Sequence, residues 1–170
     1  MSSKLPPVGV GTTFAGDNLR FMALTADAYA NVYSGCTKVA VGSVIFSGNK
    51  IVSLGANRAV PGLCKTRGCL RVEKYGNNDK THRNPEDCRA VHSEVDALIK
   101  ANLMPGMMYD MLVTRYPCEA CARAIALTHQ IRTVYYTRNQ HPSEETVRIF
   151  KSCGVNVVHL EGFEYPDATN

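Results

Sequence analysis

Apolar residues fall at helical spacing along "DNLRFMALTADAYANVYS", where Leu19, Met22, Ala23, Ala26, Tyr29, Ala30 and Tyr33 share one face. A first helix is predicted there, capped by Asp17 or Asn18. The period then changes. "VAVGSVIF" and "KIVSLGAN" are β-branched runs joined by "SGN", which predicts a two-stranded antiparallel hairpin. "VHSEVDALIKANLM" (91–104) returns to an apolar helical stripe. It is followed by strand "MYDMLVT", helix "CEACARAIALTH", strand "TVYYT", helix "PSEETVRIFKSCG" and strand "NVVHL". Strand-helix-strand units must bury both faces of a sheet, so the order predicts an α/β fold with a mixed central sheet of about five strands covered by helices. Residues 1–17, rich in Pro, Gly, Ser and Thr, read as a flexible lead-in to a single domain over 18–170. Residues 58–90 carry no sustained period and are too long for an ordinary connection, so something must order them.

Length and charge narrow this picture only a little. A chain of 170 residues suits one domain with its own core. The apolar runs are short and the N-terminus lacks a secretory apolar stretch, which predicts a cytoplasmic protein without a membrane partner. A net charge of +4, spread among acidic residues, suits a small anionic ligand, and no nucleic-acid partner is expected. The seven cysteines weigh more. Their number is odd, and a reducing compartment disfavours crosslinks, so metal ligation or catalysis is the reading they support.

The chemistry concentrates in two short stretches, each opening a predicted helix: "HSE" (His92, Ser93, Glu94) and "PCEAC" (Pro117, Cys118, Cys121). Two thiolates at Cys-x-x-Cys spacing and an imidazole from a neighbouring helix make three zinc ligands and leave a fourth position open to water. Such a site lowers the pKa of bound water toward about 7. Glu94, two residues from the histidine, is then available for proton transfer, and the helix N-termini favour the thiolates.

"GCTKVAVGSVIFSGNKIVSLGANRAVPGLC", "GCLRVEK", "CRAVHSEVDAL" and "YPCEACARAI" together resemble the deoxycytidylate (dCMP) deaminases of the zinc-dependent cytidine deaminase superfamily, over about residues 19–160. The resemblance implies a cytidine deaminase-like three-layer fold and hydrolysis of dCMP to dUMP, with hydroxide on zinc attacking C4. His92, Cys118 and Cys121 would hold the zinc, while Glu94 protonates N3 and serves the leaving amine. It also implies substrate contacts from Asn57, from the Ser93 backbone and from Pro117, and regulation by dCTP (activator) and dTTP (inhibitor). Asn57, Arg58 and Gly62 would bind the regulatory triphosphate with its Mg, in a homo-oligomer expected to be a hexamer. The sequence departs from the family at Ala56, Arg58, Ser93 and Asp96. Asp96 would raise the Glu94 pKa if it faced inward. Lys38, Arg115 and Arg138 are the cations available for the monophosphate.

Cys64, Cys69, His82 and Cys88 lie within 25 residues in the long loop, and a closed tetrahedral metal there would supply the missing order. The resemblance adds Cys36. Of these five, Cys36, Cys64, His82 and Cys88 are the preferred structural zinc set, with Cys69 in reserve. Cys153 is expected to pack as a small hydrophobe. Two rival readings remain: a tRNA or other nucleobase deaminase with the same zinc core, and a structural zinc module, which would leave Glu94 unexplained.

Overall fold

Strand alternation sorts the apolar side chains of the sheet onto two faces, and each face has its own helical cover. In the computed structural model, residues 13–36, 38–59, 63–64, 68–76, 88–138 and 143–165 are described. The elements are α1 (Thr13–Tyr33), β1 (Gly42–Ser47), β2 (Lys50–Ala56), β3 (Arg58–Ala59), α2 (Leu70–Tyr75), β4 (Ala90–Val91), α3 (Ser93–Lys100), β5 (Tyr109–Arg115), α4 (Glu119–Leu127), β6 (Ile131–Arg138), α5 (Glu144–Ser152) and β7 (Asn156–His159). The main sheet has the order β2-β1-β5-β6-β7. β1 pairs antiparallel with β2 and β5, whereas β5, β6 and β7 run parallel. This is the mixed five-stranded α/β sheet that the sequence predicts.

Ile45, Met111, Val113 and Val134 point to one face, where they pack with Ala97 of α3, Ala122 and Ile125 of α4 and Phe150 of α5. Val44, Phe46 and Leu112 point to the other, against Met22, Ala23 and Ala26 of α1. The result is three layers. Gly42 lets α1 approach, since a Cβ at that position would overlap the Ala26 carbonyl. Gly55 does the same for α3: a Cβ there would overlap the Ser93 carbonyl and crowd Ala97.

The structure differs from expectation in three places. Helix α1 begins at Thr13, upstream of the cap expected at Asp17 or Asn18, and the Asn18 side chain instead donates to the Gly48 carbonyl at 3.0 Å. The long loop is closed at its base by a second, two-stranded sheet, in which Arg58 pairs with Val91 and Ala59 with Ala90, and it contains α2. Helix α3 ends at Lys100, short of the expected residue 104, because Ala101 turns extended. No helix among the described residues is long and apolar enough to cross a membrane.

Candidate active site and metal centre

Helices α3 and α4 begin side by side at the sheet and present unusual first residues. The N-cap of α3 is His92 and that of α4 is Cys118, and neither side chain caps its own helix. Ser, Thr, Asp or Asn would stabilise those ends by bonding the free amides. Here both side chains turn to each other. His92 Nδ1 lies 3.4 Å from Cys118 Sγ and 3.4 Å from Cys121 Sγ. One ligand atom from each of the three residues falls within 4.8 Å of the others.

That triangle fits zinc. Zn–S bonds of about 2.3 Å and Zn–N bonds of about 2.0–2.1 Å in a tetrahedron place N and S roughly 3.5 Å apart. Two sulfurs and one nitrogen are the donor set of a zinc centre that keeps one position for a non-protein ligand. Without a metal the three donors share protons among themselves, and a bound zinc would displace those on His92 and Cys121. The shared Cys121 S–H, with help from His92, pulls the Cys118 thiol down to about 3, so Cys118 is a thiolate at neutral pH. Cys121 holds the shared proton, and burial raises its own pKa further. His92 is lifted to about 10, first by Cys118 and then by Cys88.

Glu94, in the first turn of α3, is only 4% exposed. Burial raises its pKa from the ordinary carboxylate range. Ser93 Oγ donates to Glu94 Oε2 at 3.1 Å. Both residues line a cavity of about 350 Å³ with His92 and Cys118. Its walls also carry Lys38, Arg71 and Arg115, three cations against the single carboxylate of Glu94. An anion is the ligand that such a wall attracts.

The other sequence-predicted residues divide between this cavity and the scaffold. Asn57 lines the cavity, yet its amide is largely committed to the backbone. Its Oδ1 accepts from Ser34 Oγ (2.6 Å) and the Val41 amide (2.8 Å), and its Nδ2 donates to the Val39 carbonyl (2.8 Å). One N–H remains to face a ligand. Pro117 is fully buried beside the cysteines. Arg138 is excluded from the cavity wall: it pairs with Asp27 at 3.0 Å and stacks on Tyr165 at 4.4 Å. Arg58 likewise sits outside, over the Tyr33 ring and 3.7 Å from Asp96. Asp96 does not face Glu94. Its carboxylate takes the Ala56 amide at 3.0 Å and Lys100 at 2.6 Å.

Cys36, Cys69 and Cys88 line the same cavity, and Cys64 is buried within electrostatic reach of all three, whose charges with its own burial raise its pKa. Cys88 also shares a hydrogen bond with His92, which lowers its pKa. Among the described residues, only His92, Cys118 and Cys121 come within metal-binding distance of one another. His82 and Gly62 lie outside the described residues. Cys153, expected to be packed, is exposed, because it follows the last turn of α5 as its C-cap. Sequence reasoning missed Ser43 and Arg71. Arg71 sits in the long loop within "GCLRVEK", where nothing in the spacing marks it as a ligand contact, and Ser43 is a hydroxyl in an apolar strand.

Comparison with known proteins agrees with this geometry. The cytidine and deoxycytidylate deaminase zinc-binding region matches residues 16–138. The chain belongs to this family. Among curated deaminase relatives, the deoxycytidylate deaminase of Saccharomyces cerevisiae is 29% identical over 136 residues, covering 78% of this chain and 42% of its own. That of Mycobacterium phage D29 is 29% identical over 110 residues, covering 60% and 81%. ComE operon protein 2 of Bacillus subtilis is 26% identical over 132 residues, covering 75% of this chain and 64% of its own. The chain thus spans less than two-thirds of the length of the first curated relatives it matches. The dCMP deaminase of cyanophage S-TIM5, solved in complex with dCMP and dUMP, has the same fold. Its TM-score is 0.64 at 21% identity, covering 88% of this chain and 99% of that one.

Proposed function

We propose that this deaminase converts dCMP and water to dUMP and ammonia. The observation that carries the reading is the His92, Cys118 and Cys121 triangle with buried Glu94 beside it, in a cavity whose remaining charged wall is cationic. Those three side chains would hold a zinc ion, which when bound would supply a water activated at neutral pH. Glu94 moves the protons. Its carboxylate takes one from water and delivers it to N3 of the cytosine, and a second passes through it to the exocyclic nitrogen, which leaves as ammonia. A raised pKa suits this duty, since a proton carrier works best with its pKa near the working pH. Asn57, the Ser93 backbone and Pro117 shape the pocket for the base. Lys38 and Arg115 meet the monophosphate.

A structural zinc drawn from Cys36, Cys64, His82 and Cys88 belongs to the same proposal. It is supported by Cys36 and Cys88 lying close enough to Cys64 to act on its charge. Cys69, which also acts on Cys64, stays in reserve. Regulation by dCTP and dTTP, with Mg accompanying the triphosphate in a cytoplasmic homohexamer, completes the reading. Arg58 supports it, because it stands outside the substrate cavity with its side chain 43% exposed.

Ammonia release tests the proposal, measured on dCMP, dCTP, deoxycytidine and a tRNA anticodon stem, each with and without added dCTP or dTTP. Turnover of dCMP well above deoxycytidine is expected. Deamination confined to the RNA would overturn it.

A further inference from the structure

Ser43 and Ser93 stand 50 residues apart in sequence, are both fully buried, and bring their hydroxyl oxygens to 2.6 Å. With Glu94 ionised, Ser93 Oγ donates its one proton to Glu94 Oε2 at 3.1 Å, and Ser43 is then the donor to Ser93. The chain runs in one direction, from β1 through the first residue of α3 to the carboxylate. Its seat is built by the sheet. Ser43 and Gly55 are cross-strand partners, and Gly55 is the residue whose missing side chain admits the Ser93 carbonyl. A single pair of strand positions therefore fixes Ser93 at both its backbone and its hydroxyl.

We infer that Ser43 and Ser93 are positioning residues, whose linked hydroxyls hold one carboxyl oxygen of Glu94 and so fix its carboxyl in the cavity wall. The inference rests on the proposed role of Glu94 and deepens it. A carboxylate on a flexible side chain must otherwise be ordered at each turnover, and a donor that is itself held by a second donor removes that freedom. The Ser43 hydroxyl is fully buried in a strand that continues as Val44, Ile45 and Phe46, and Ser93 is the partner that satisfies it.

Ser93→Ala and Ser43→Ala test this on the full chain loaded with zinc. Each is expected to lower kcat for dCMP by roughly five- to tenfold, the loss of about one buried hydrogen bond, with KM changed by less than about twofold and zinc content unchanged. The double variant should be no slower than the slower single, since both act through one contact. Ser43→Cys, nearly isosteric but a weak donor, should match Ser43→Ala and guards against a void in the core. An unchanged kcat in a folded single variant, or losses that multiply in the double, overturns the inference. Glu94→Gln separates this from the parent reading. If that variant still turns over, the role of Glu94 fails; if it is inactive while Ser93→Ala is fully active, only the positioning fails.

Discussion

Asp96 stands two residues beyond Glu94 on the same helix, yet its carboxylate reaches back to the amide of Ala56 at 3.0 Å rather than toward the Glu94 carboxyl. The charge that would have repelled Glu94 is spent on the scaffold. Lys100 at 2.6 Å and Arg58 at 3.7 Å surround it, and its side chain is only 15% exposed. The bond ties the end of β2 to α3, the element that carries His92 and Glu94.

Asp96→Ala should therefore destabilise the fold, by about 1–3 kcal/mol for a part-buried amide left without its acceptor. Denaturant unfolding measures this. Asp96→Asn keeps an acceptor oxygen for Ala56 and should lose less.

Glu94→Gln should stabilise the fold of zinc-stripped protein at neutral and alkaline pH. Burial raises the Glu94 pKa above its unfolded value, so ionising the carboxyl costs stability. The sign is fixed by linkage: the folded state is best served below the unfolded pKa of about 4.5, and that advantage is lost as pH rises through the folded pKa. Thermal melts at pH 8 and at pH 4.5 check it. The glutamine variant should melt higher at pH 8, with the gap closing at the lower pH.

Gly55→Ala should injure both fold and activity, because the added Cβ would overlap the Ser93 carbonyl and press on Ala97. Overpacking of this kind costs about 1–3 kcal/mol. A lowered melting temperature with reduced dCMP turnover is the expected pair of results, since the helix displaced is the one that positions the site.

The three cations considered for the phosphate should separate by kinetics. Lys38 and Arg115 line the cavity, whereas Arg138 lies off its wall beside Asp27 and Tyr165. Lys38→Ala and Arg115→Ala should each raise KM for dCMP by roughly tenfold to a hundredfold, as for loss of a charged hydrogen bond, and affect deoxycytidine little. Arg138→Ala should leave KM for dCMP close to wild type.

The main sheet and the helices around it were readable in the sequence because their apolar periods are long and their turns are marked, as at Gly48, whose φ of 56° suits the hairpin. The metal triangle was readable for a different reason. Its spacing places ligands at the openings of two helices, a local pattern that needs no knowledge of packing. Contacts between distant segments were not readable. The two-residue strands β3 and β4 are too short to show a period, and Ser43 meets Ser93 only because β1 lies beneath α3. Arg138 is a weaker phosphate candidate in the sequence than Arg115, its register partner on the next strand, and the fold sets Asp27 and Tyr165 beside it. Asn57 read as a substrate contact, and the structure adds a scaffold role, because three of its hydrogen bonds close the segment from Ser34 to Val41.

The most direct measurement is zinc content together with dCMP turnover, taken on the wild-type chain, Glu94→Gln and Cys121→Ser. One zinc held at His92, Cys118 and Cys121 with Glu94 as proton carrier predicts that Glu94→Gln keeps that metal and loses about 10²- to 10⁴-fold in kcat, while Cys121→Ser loses both. A Glu94→Gln variant that turns over dCMP at the wild-type rate, or a Cys121→Ser variant that keeps full zinc and activity, would contradict the account.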